Sequence, residues 1–231
     1  MKKIACLSLG FLLVLPMMAN AQDKEEDRVK ESGDVLRDIL ESPDKGIPHD
    51  LVHKSECVVV YPSVKKAAFV VGGSYGRGVM TCRTGEDFSG PWSPPTMMAL
   101  EGASFGFQIG GQATDFILLI MNEKGAKSVL KSKLKIGGDA SAAAGPVGRT
   151  ATAETNAVMK AEILSWSRAQ GLFAGVSLTG STMRTDDDAN KKLYGKELTA
   201  PDIVAKHEVE APPSASTLLS ELTKVSPHHQ N

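Results

Sequence analysis

Several groups of residues in this 231-residue chain have the types and spacing that chemistry uses. Gly102-Ala-Ser104-Phe-Gly106 fits G-x-S-x-G, the pattern of a serine raised on a strand-to-helix elbow. That elbow needs a helix directly after the serine, and Phe105 to Gly111 reads as strand and glycine turn. Ser128 and Lys131 have serine–lysine acyl-enzyme spacing, but the S-D-N and K-T-G elements that complete such a site do not follow. His49 and His53 lie four apart on a short helix, a spacing that can set two metal ligands on one face. No glutamate lies between them and no third ligand is evident. Asp186, Asp187 and Asp188 lack the alternation and the closing glutamate of a calcium loop, and suit the positive end of a helix. Gly76-Arg-Gly78 and Gly137-Gly138 lack the Lys-Ser/Thr and the strand-to-helix context of a phosphate loop. The expectation is a non-enzyme with no catalytic residue, no metal site and no cofactor.

The basic residues form the constellation that remains. Lys124, Lys127 and Lys131 fall at i, i+3 and i+7 on one helix face, and Lys133 and Lys135 point to one side of the strand that follows. Five lysines against the single acid Glu123 would attract anionic headgroups at about 1 kcal/mol per lysine near a membrane surface. Arg77, with Lys65 and Lys66, makes a second basic patch near a glycine-rich hairpin. Trp92, Met97 and Met98, beside Pro91, Pro94 and Pro95, have the makings of a membrane-dipping loop. The plainer readings are a solvated helix face for the lysines and a Trp92 folded back onto the core.

These residues need a scaffold, and the apolar pattern describes one. Lys2 and Lys3, the apolar run Ile4 to Met18 and the small-x-small site Ala19-Asn-Ala21 read as a secretory signal peptide over 1–21. The mature chain would begin at Gln22 with a net charge of about −3, against −1 for the full chain, too weakly charged for a general nucleic-acid binder. An amphipathic helix is expected over Asp23–Glu41, and a second over Pro48–Lys54. Strands are expected at Glu56–Tyr61, Ala67–Val71, Arg77–Arg83, Met97–Leu100 and Lys133–Ile136. Pro62-Ser63 is expected to turn the chain. Two more strands, Met159–Ser167 and Leu172–Thr179, flank a turn at Ala169-Gln-Gly171. Short helices are expected at Glu123–Ser132, Asp186–Tyr194, to Lys206 after Thr199, and at Ser214–Lys224, with a disordered tail from Pro227. Ser104 to Asn122 (SFGFQIGGQATDFILLIMN) reads as a hairpin whose second strand, Phe116 to Met121, is apolar enough to be buried on both faces. The fold class is α+β: a strongly curved, barrel-like antiparallel sheet with short flanking helices. In this layout a third strand separates Cys57 from Cys82, near 10 Å apart at about 4.8 Å per strand. A Cys57–Cys82 disulfide, although an oxidising compartment would allow it, is therefore not favoured.

The wording of the chain resembles SYLF domains. The matching segments are Tyr61-Pro-Ser-Val-Lys-Lys-Ala-Ala-Phe-Val-Val-Gly-Gly-Ser-Tyr-Gly-Arg-Gly-Val, Trp92-Ser-Pro-Pro, Gly106-Phe-Gln-Ile-Gly-Gly-Gln-Ala-Thr-Asp and Leu118-Leu-Ile-Met-Asn. Gly138-Asp-Ala-Ser-Ala-Ala-Ala-Gly-Pro-Val-Gly-Arg, Ser165-Trp-Ser-Arg-Ala-Gln-Gly-Leu-Phe-Ala-Gly-Val-Ser-Leu and Leu193-Tyr-Gly follow in order. The likeness runs from about Val35 to Ala205 and implies a single domain over 22–206, leaving 207–231 as linker, short helix and tail. It implies a lipid-binding module, with phosphoinositides bound by eukaryotic members and actin also bound by fungal ones. The bacterial-type signal peptide argues against actin as the native partner and for a periplasmic or secreted, membrane-associated protein. Anionic phospholipids or a membrane surface are then the expected partner. A protein partner for the curved sheet is the alternative.

Overall fold

A computed structural model describes residues 16–42, 46–69, 71–85, 87–105, 112–131, 133–148, 156–169, 171–206 and 208–228. Most of the expected signal peptide (1–15), the glycine turn of the 104–122 hairpin and the last three residues of the tail lie outside them.

The first strand decides the layout. β1 (Cys57–Phe69) opens on the β-branched run Val58-Val59-Val60 and does not stop at Pro62. Proline has no N–H to give a ladder, so it sits where the register shifts between Tyr61 and Val64. Ser63 takes up the bulge with φ 54°, and its N–H donates to Asp115 Oδ1 at 2.8 Å. β1 then runs on and folds back directly into β2 (Val71–Cys82). The expected turn at Pro62-Ser63 is thus a bulge within one long strand, and Gly72 to Gly76 lie inside β2 rather than in a loop.

This also corrects the reading of the cysteines. With no third strand between them, Cys57 stands directly opposite Cys82, and the two form a disulfide with Cα atoms 3.9 Å apart.

β3 (Thr96–Phe105) and β4 (Gln112–Ile120) flank this pair, followed by helix α3 (Glu123–Lys131) and β5 (Lys133–Lys135). β6 (Ala142–Ala144), β7 (Ile163–Ala169), β8 (Leu172–Gly175) and β9 (Thr182–Thr185) complete the sheet among the described residues. Its order is β5-β9-β3-β2-β1-β4-β7-β6, with β8 on β7, and it curls into a half-barrel. All pairs are antiparallel except β6–β7. β9 was not expected, and helix α4 (Asn156–Lys160) occupies the start of what reads as a longer strand from Met159.

Helices cover both faces. On the first lie α1 (Pro16–Glu41), α2 (His49–His53), α5 (Asp187–Tyr194) and α7 (Ser216–Val225), which share a core with Val60, Val79, Met97, Ile117, Leu119 and Trp166. On the second, α3 and α6 (Ala200–Val204) close over Val59, Tyr61, Met80, Met98, Leu118 and Ile163. The run Phe116–Ile120 divides as its apolarity requires: Ile117 and Leu119 enter the first core, and Phe116, Leu118 and Ile120 the second. Two glycines answer to close packing. A Cβ at Gly78 would lie 2.0 Å from the Val60 carbonyl, and one at Gly145 would lie 2.1 Å from the Trp166 ring. The α7 end is tied to the sheet by buried Arg83, which donates to the Ser226 carbonyl at 2.7 Å and lies 4.0 Å from the Trp92 ring centroid.

Candidate functional site

The chemistry-bearing patterns are absorbed by structure. Ser128 Oγ donates to the Lys124 carbonyl at 2.8 Å, an ordinary helical contact. Asp186 caps α5, accepting from Ala189 N–H at 3.3 Å, as its place before a helix suggested. Thr199 and Asp202 form a reciprocal capping box on α6. His49 lies 3.4 Å from the Leu40 carbonyl, and no cluster of three metal-ligating side chains occurs among the described residues. The Ser104 side chain lies outside those described, and its backbone, with that of Phe105, is in β3.

The basic residues are arranged differently from their sequence grouping. α3 turns Ala126, Val129 and Leu130 into the second core, which leaves Lys124, Lys127 and Lys131 exposed. Leu134 enters that same core, so Lys133 and Lys135 project from the opposite side of β5. The five lysines therefore flank the edge strand of the sheet from both sides rather than forming one face. Lys124 pairs with Glu162 at 3.0 Å and Lys127 with Glu123. Among the described residues Lys131, Lys133 and Lys135 enter no ion pair.

Register then joins Lys133 and Lys135 to residues far away in sequence. Lys133 faces Arg184, Arg184 faces Ala99, and Ala99 faces Arg77. The next rung reads Lys135, Thr182, Glu101, Tyr75, Lys65. Directly opposed residues share a face, so Arg77 belongs with Arg184 and the β5 lysines. An open cleft of about 730 Å³ runs along this rung, lined by Ser74, Glu101, Thr182, Lys133, Lys135 and Asp139 among others. Asp139 accepts from the Lys135 backbone N–H at 2.7 Å. Arg184 holds Glu101 at 3.0 Å, and Arg77 holds Asp186 at 3.2 Å and Glu25 at 3.7 Å. Both guanidiniums are held above their ordinary range, Arg77 chiefly by its hydrogen bond to the Tyr75 hydroxyl and Arg184 chiefly by Glu101. Arg184 was missed in the sequence because β9 is only four residues long; the alternation Thr182-Met-Arg-Thr185 was its one signal.

Trp92, Met97 and Met98 are not presented to a membrane. Trp92 is 9% exposed and sandwiched by Arg83, while Met97 and Met98 are 1% and 0% exposed, on opposite faces of β3. The physical reason is that the prolines lead Trp92 back across Arg83, with which it forms a bridge, so the loop closes onto the core. Among the described residues no helix is long and apolar enough to cross a membrane.

Comparison with known proteins places this geometry. The family model described as "Ysc84: Las17-binding protein actin regulator" matches residues 101–225. Protein YSC84 of Saccharomyces cerevisiae is 32% identical over 202 residues, 84% of this chain and 42% of the yeast protein. LAS seventeen-binding protein 3 of the same yeast is 33% identical over 182 residues, 78% of this chain and 39% of that protein. SH3 domain-containing YSC84-like protein 1 of Rattus norvegicus is 30% identical over 185 residues, 78% of this chain and 53% of the rat protein. The chain thus spans roughly two fifths to one half of the length of these relatives. The family match takes in α7, which packs on α1.

Proposed function

Because the chain belongs to the Ysc84 (SYLF-domain) family, we propose that it is a non-enzymatic binding protein of the bacterial cell envelope that engages anionic phospholipid headgroups. The observation that carries this reading is the set Lys131, Lys133 and Lys135: exposed, outside any ion pair among the described residues, and gathered at the edge of the sheet. Lysine is a strongly hydrated point charge that suits a fluid surface of phosphates better than a shaped pocket. Around it Arg77 and Arg184 are already committed to Asp186 and Glu101 and serve to hold the sheet end rather than the ligand.

The envelope assignment rests on the signal-peptide pattern ending at Ala21. The described core contacts of α1, from Val29 to Leu40, all lie after that point, so cleavage there leaves them intact. An oxidising compartment also suits the Cys57–Cys82 disulfide.

The test is co-sedimentation with phosphatidylglycerol-containing and with phosphatidylcholine vesicles at low and high salt. Binding to the anionic vesicles that weakens as salt rises is the expected result. Equal, negligible binding to both compositions would refute the reading. A second reading, a protein-binding surface, draws on the relatives' names, which describe Las17 binding and actin regulation. Under it the functional contact would be an apolar protein interface whose strength does not fall with salt.

A further inference from the structure

Among the uncharged stretches of this chain are Ala67–Gly76, Gly102–Thr114 and Ala169–Met183. They are far apart in sequence, and the sheet brings their described parts to one end. Ala67 pairs with Gly73 and Gly73 with Ala103; Phe69 pairs with Val71 and Val71 with Phe105. Lys65 faces Ala113 of β4, and Ala169 faces Leu172 across the β7–β8 turn at the same end. Beyond Lys66 no rung of β1, β2 or β3 contains a charge.

The helical cover stops short of this end. α1 crosses the first face from Arg77, held by Glu25, to Arg168, held by Asp38 and Asp115. Past that line Lys65, Gly73 and Ala113 are exposed, Tyr75 is 46% exposed and Leu172 is 61% exposed. The cations at the border are Lys65, Lys133 and Lys135, none ion-paired among the described residues, with Asp139 beside Lys135. An uncharged sheet end bordered by lysines that enter no ion pair among the described residues is complementary to an anionic bilayer, where headgroups meet the lysines and exposed apolar side chains reach the region just beneath.

Resting on the lipid reading above, we propose that this end of the sheet is the part that enters the membrane interface, with the exposed Tyr75 and Leu172 at its border, Tyr75 on the rung of Lys65 and Leu172 opposite Ala169. Insertion stops at the interface, because strand ends carry backbone groups that hydrocarbon cannot satisfy.

Fluorescence tests this directly. Trp92 and Trp166 are buried, so an indole introduced at the surface reports against a constant background. Leu172→Trp is compared with Met159→Trp, a position 72% exposed in α4, which precedes the opposite end of β7. Tyr75→Trp repeats the test on the β1–β2 hairpin, beyond β4 in the sheet. With phosphatidylglycerol-containing vesicles, the emission of Leu172→Trp and Tyr75→Trp shifts to shorter wavelength and is quenched by brominated lipid, while that of Met159→Trp is unchanged. Co-sedimentation without that shift would overturn this inference and leave the lipid reading standing. Equal quenching at Leu172→Trp and Met159→Trp would also overturn it. A shift that grows with protein concentration in the absence of vesicles assigns the surface to a second copy of the chain and does the same. Absence of co-sedimentation removes both readings together.

Discussion

Reduction of the Cys57–Cys82 bond should cost this protein a large part of its stability without unmaking its fold. The bond closes a loop with a sequence separation of 25. In the chain-entropy treatment, closing a loop of that length removes about 3.5 kcal/mol of freedom from the unfolded state at 25 °C. The cost should fall on the unfolded state because both sulfurs are already buried, at the ends of two strands held together by their own register. For a chain of this size each kcal/mol moves the melting temperature by about 2–4 °C, so the expected loss is roughly 7–14 °C. The assay is thermal unfolding of the chain from Gln22 with and without reductant, beside the Cys57→Ala/Cys82→Ala double variant. Both treatments should lower Tm, with the variant lower still because each truncation leaves a small void. Thiol titration of the unfolded, unreduced chain should find no free thiol. Two free thiols, or a Tm that reductant does not move, would refute the reasoning.

Three further outcomes follow from particular residues. Gly78→Ala should destabilise by about 3 kcal/mol or more, since the clash at 2.0 Å is with backbone; Gly138→Ala, whose nearest neighbour is a lysine side chain at 3.4 Å, should stay within about 0.5 kcal/mol in urea titrations. Burial, and then Glu123, lift the Glu56 carboxyl from 4.5 to about 7, so the folded state holds its proton more tightly than the unfolded state does. Its contribution is full below pH 4.5 and is lost as pH rises to about 7, so stability should fall across that window, and Glu56→Gln should flatten the slope. Replacing Lys131, Lys133 and Lys135 together by Gln should weaken binding to anionic vesicles by roughly 100-fold or more, at about 1 kcal/mol each, with little change in Tm.

Much of the architecture is legible in the chain because local patterns and tertiary demands agree. The run Phe116–Ile120 is apolar at every position, and burial on both faces is the arrangement that removes all of it from water. Asp186, and Thr199 with Asp202, announce helix starts through groups that satisfy free N–H donors. Where the reading departs from the structure, a local signal is outweighed by a partner distant in sequence. Pro62-Ser63 has every mark of a turn, yet Asp115 on β4 accepts the Ser63 N–H and the strand runs through. That single difference moves Cys57 from two strands away to directly opposite Cys82. Trp92 looks like an interfacial anchor until Arg83, Ser226 and α7 are placed around it; its indole N–H donates to the Ser226 carbonyl at 3.2 Å, a partner 134 residues on. The placement of the basic residues is half legible. The strand that carries Lys133 and Lys135 can be read from the residues, but their neighbours Arg184 and Arg77 follow from strand order, which residue spacing does not encode.

The polar side chains divide by what already holds them. Arg83 is spent on Ser226 and Trp92, Arg168 on Asp115 and Asp38, Arg184 on Glu101, and Arg77 on Tyr75 and Asp186. Each of these arginines ties two elements together, and a planar fork with several donors suits that task. At the edge strand and at the border of the uncharged sheet end, the cations outside any ion pair among the described residues are lysines. If the surface recognised a shaped anion, the forked guanidiniums would be the side chains left facing solvent. A surface that leaves its lysines free and its arginines occupied is suited to many weak, mobile phosphate contacts. The same division explains how binding could change without loss of fold: the lysines can be neutralised one at a time, whereas removing an arginine leaves a partnered carboxylate behind. Lys133→Gln should therefore lower vesicle affinity and leave Tm in place, while Arg168→Gln should lower Tm by stranding Asp115, whose carboxylate also fixes the Ser63 bulge.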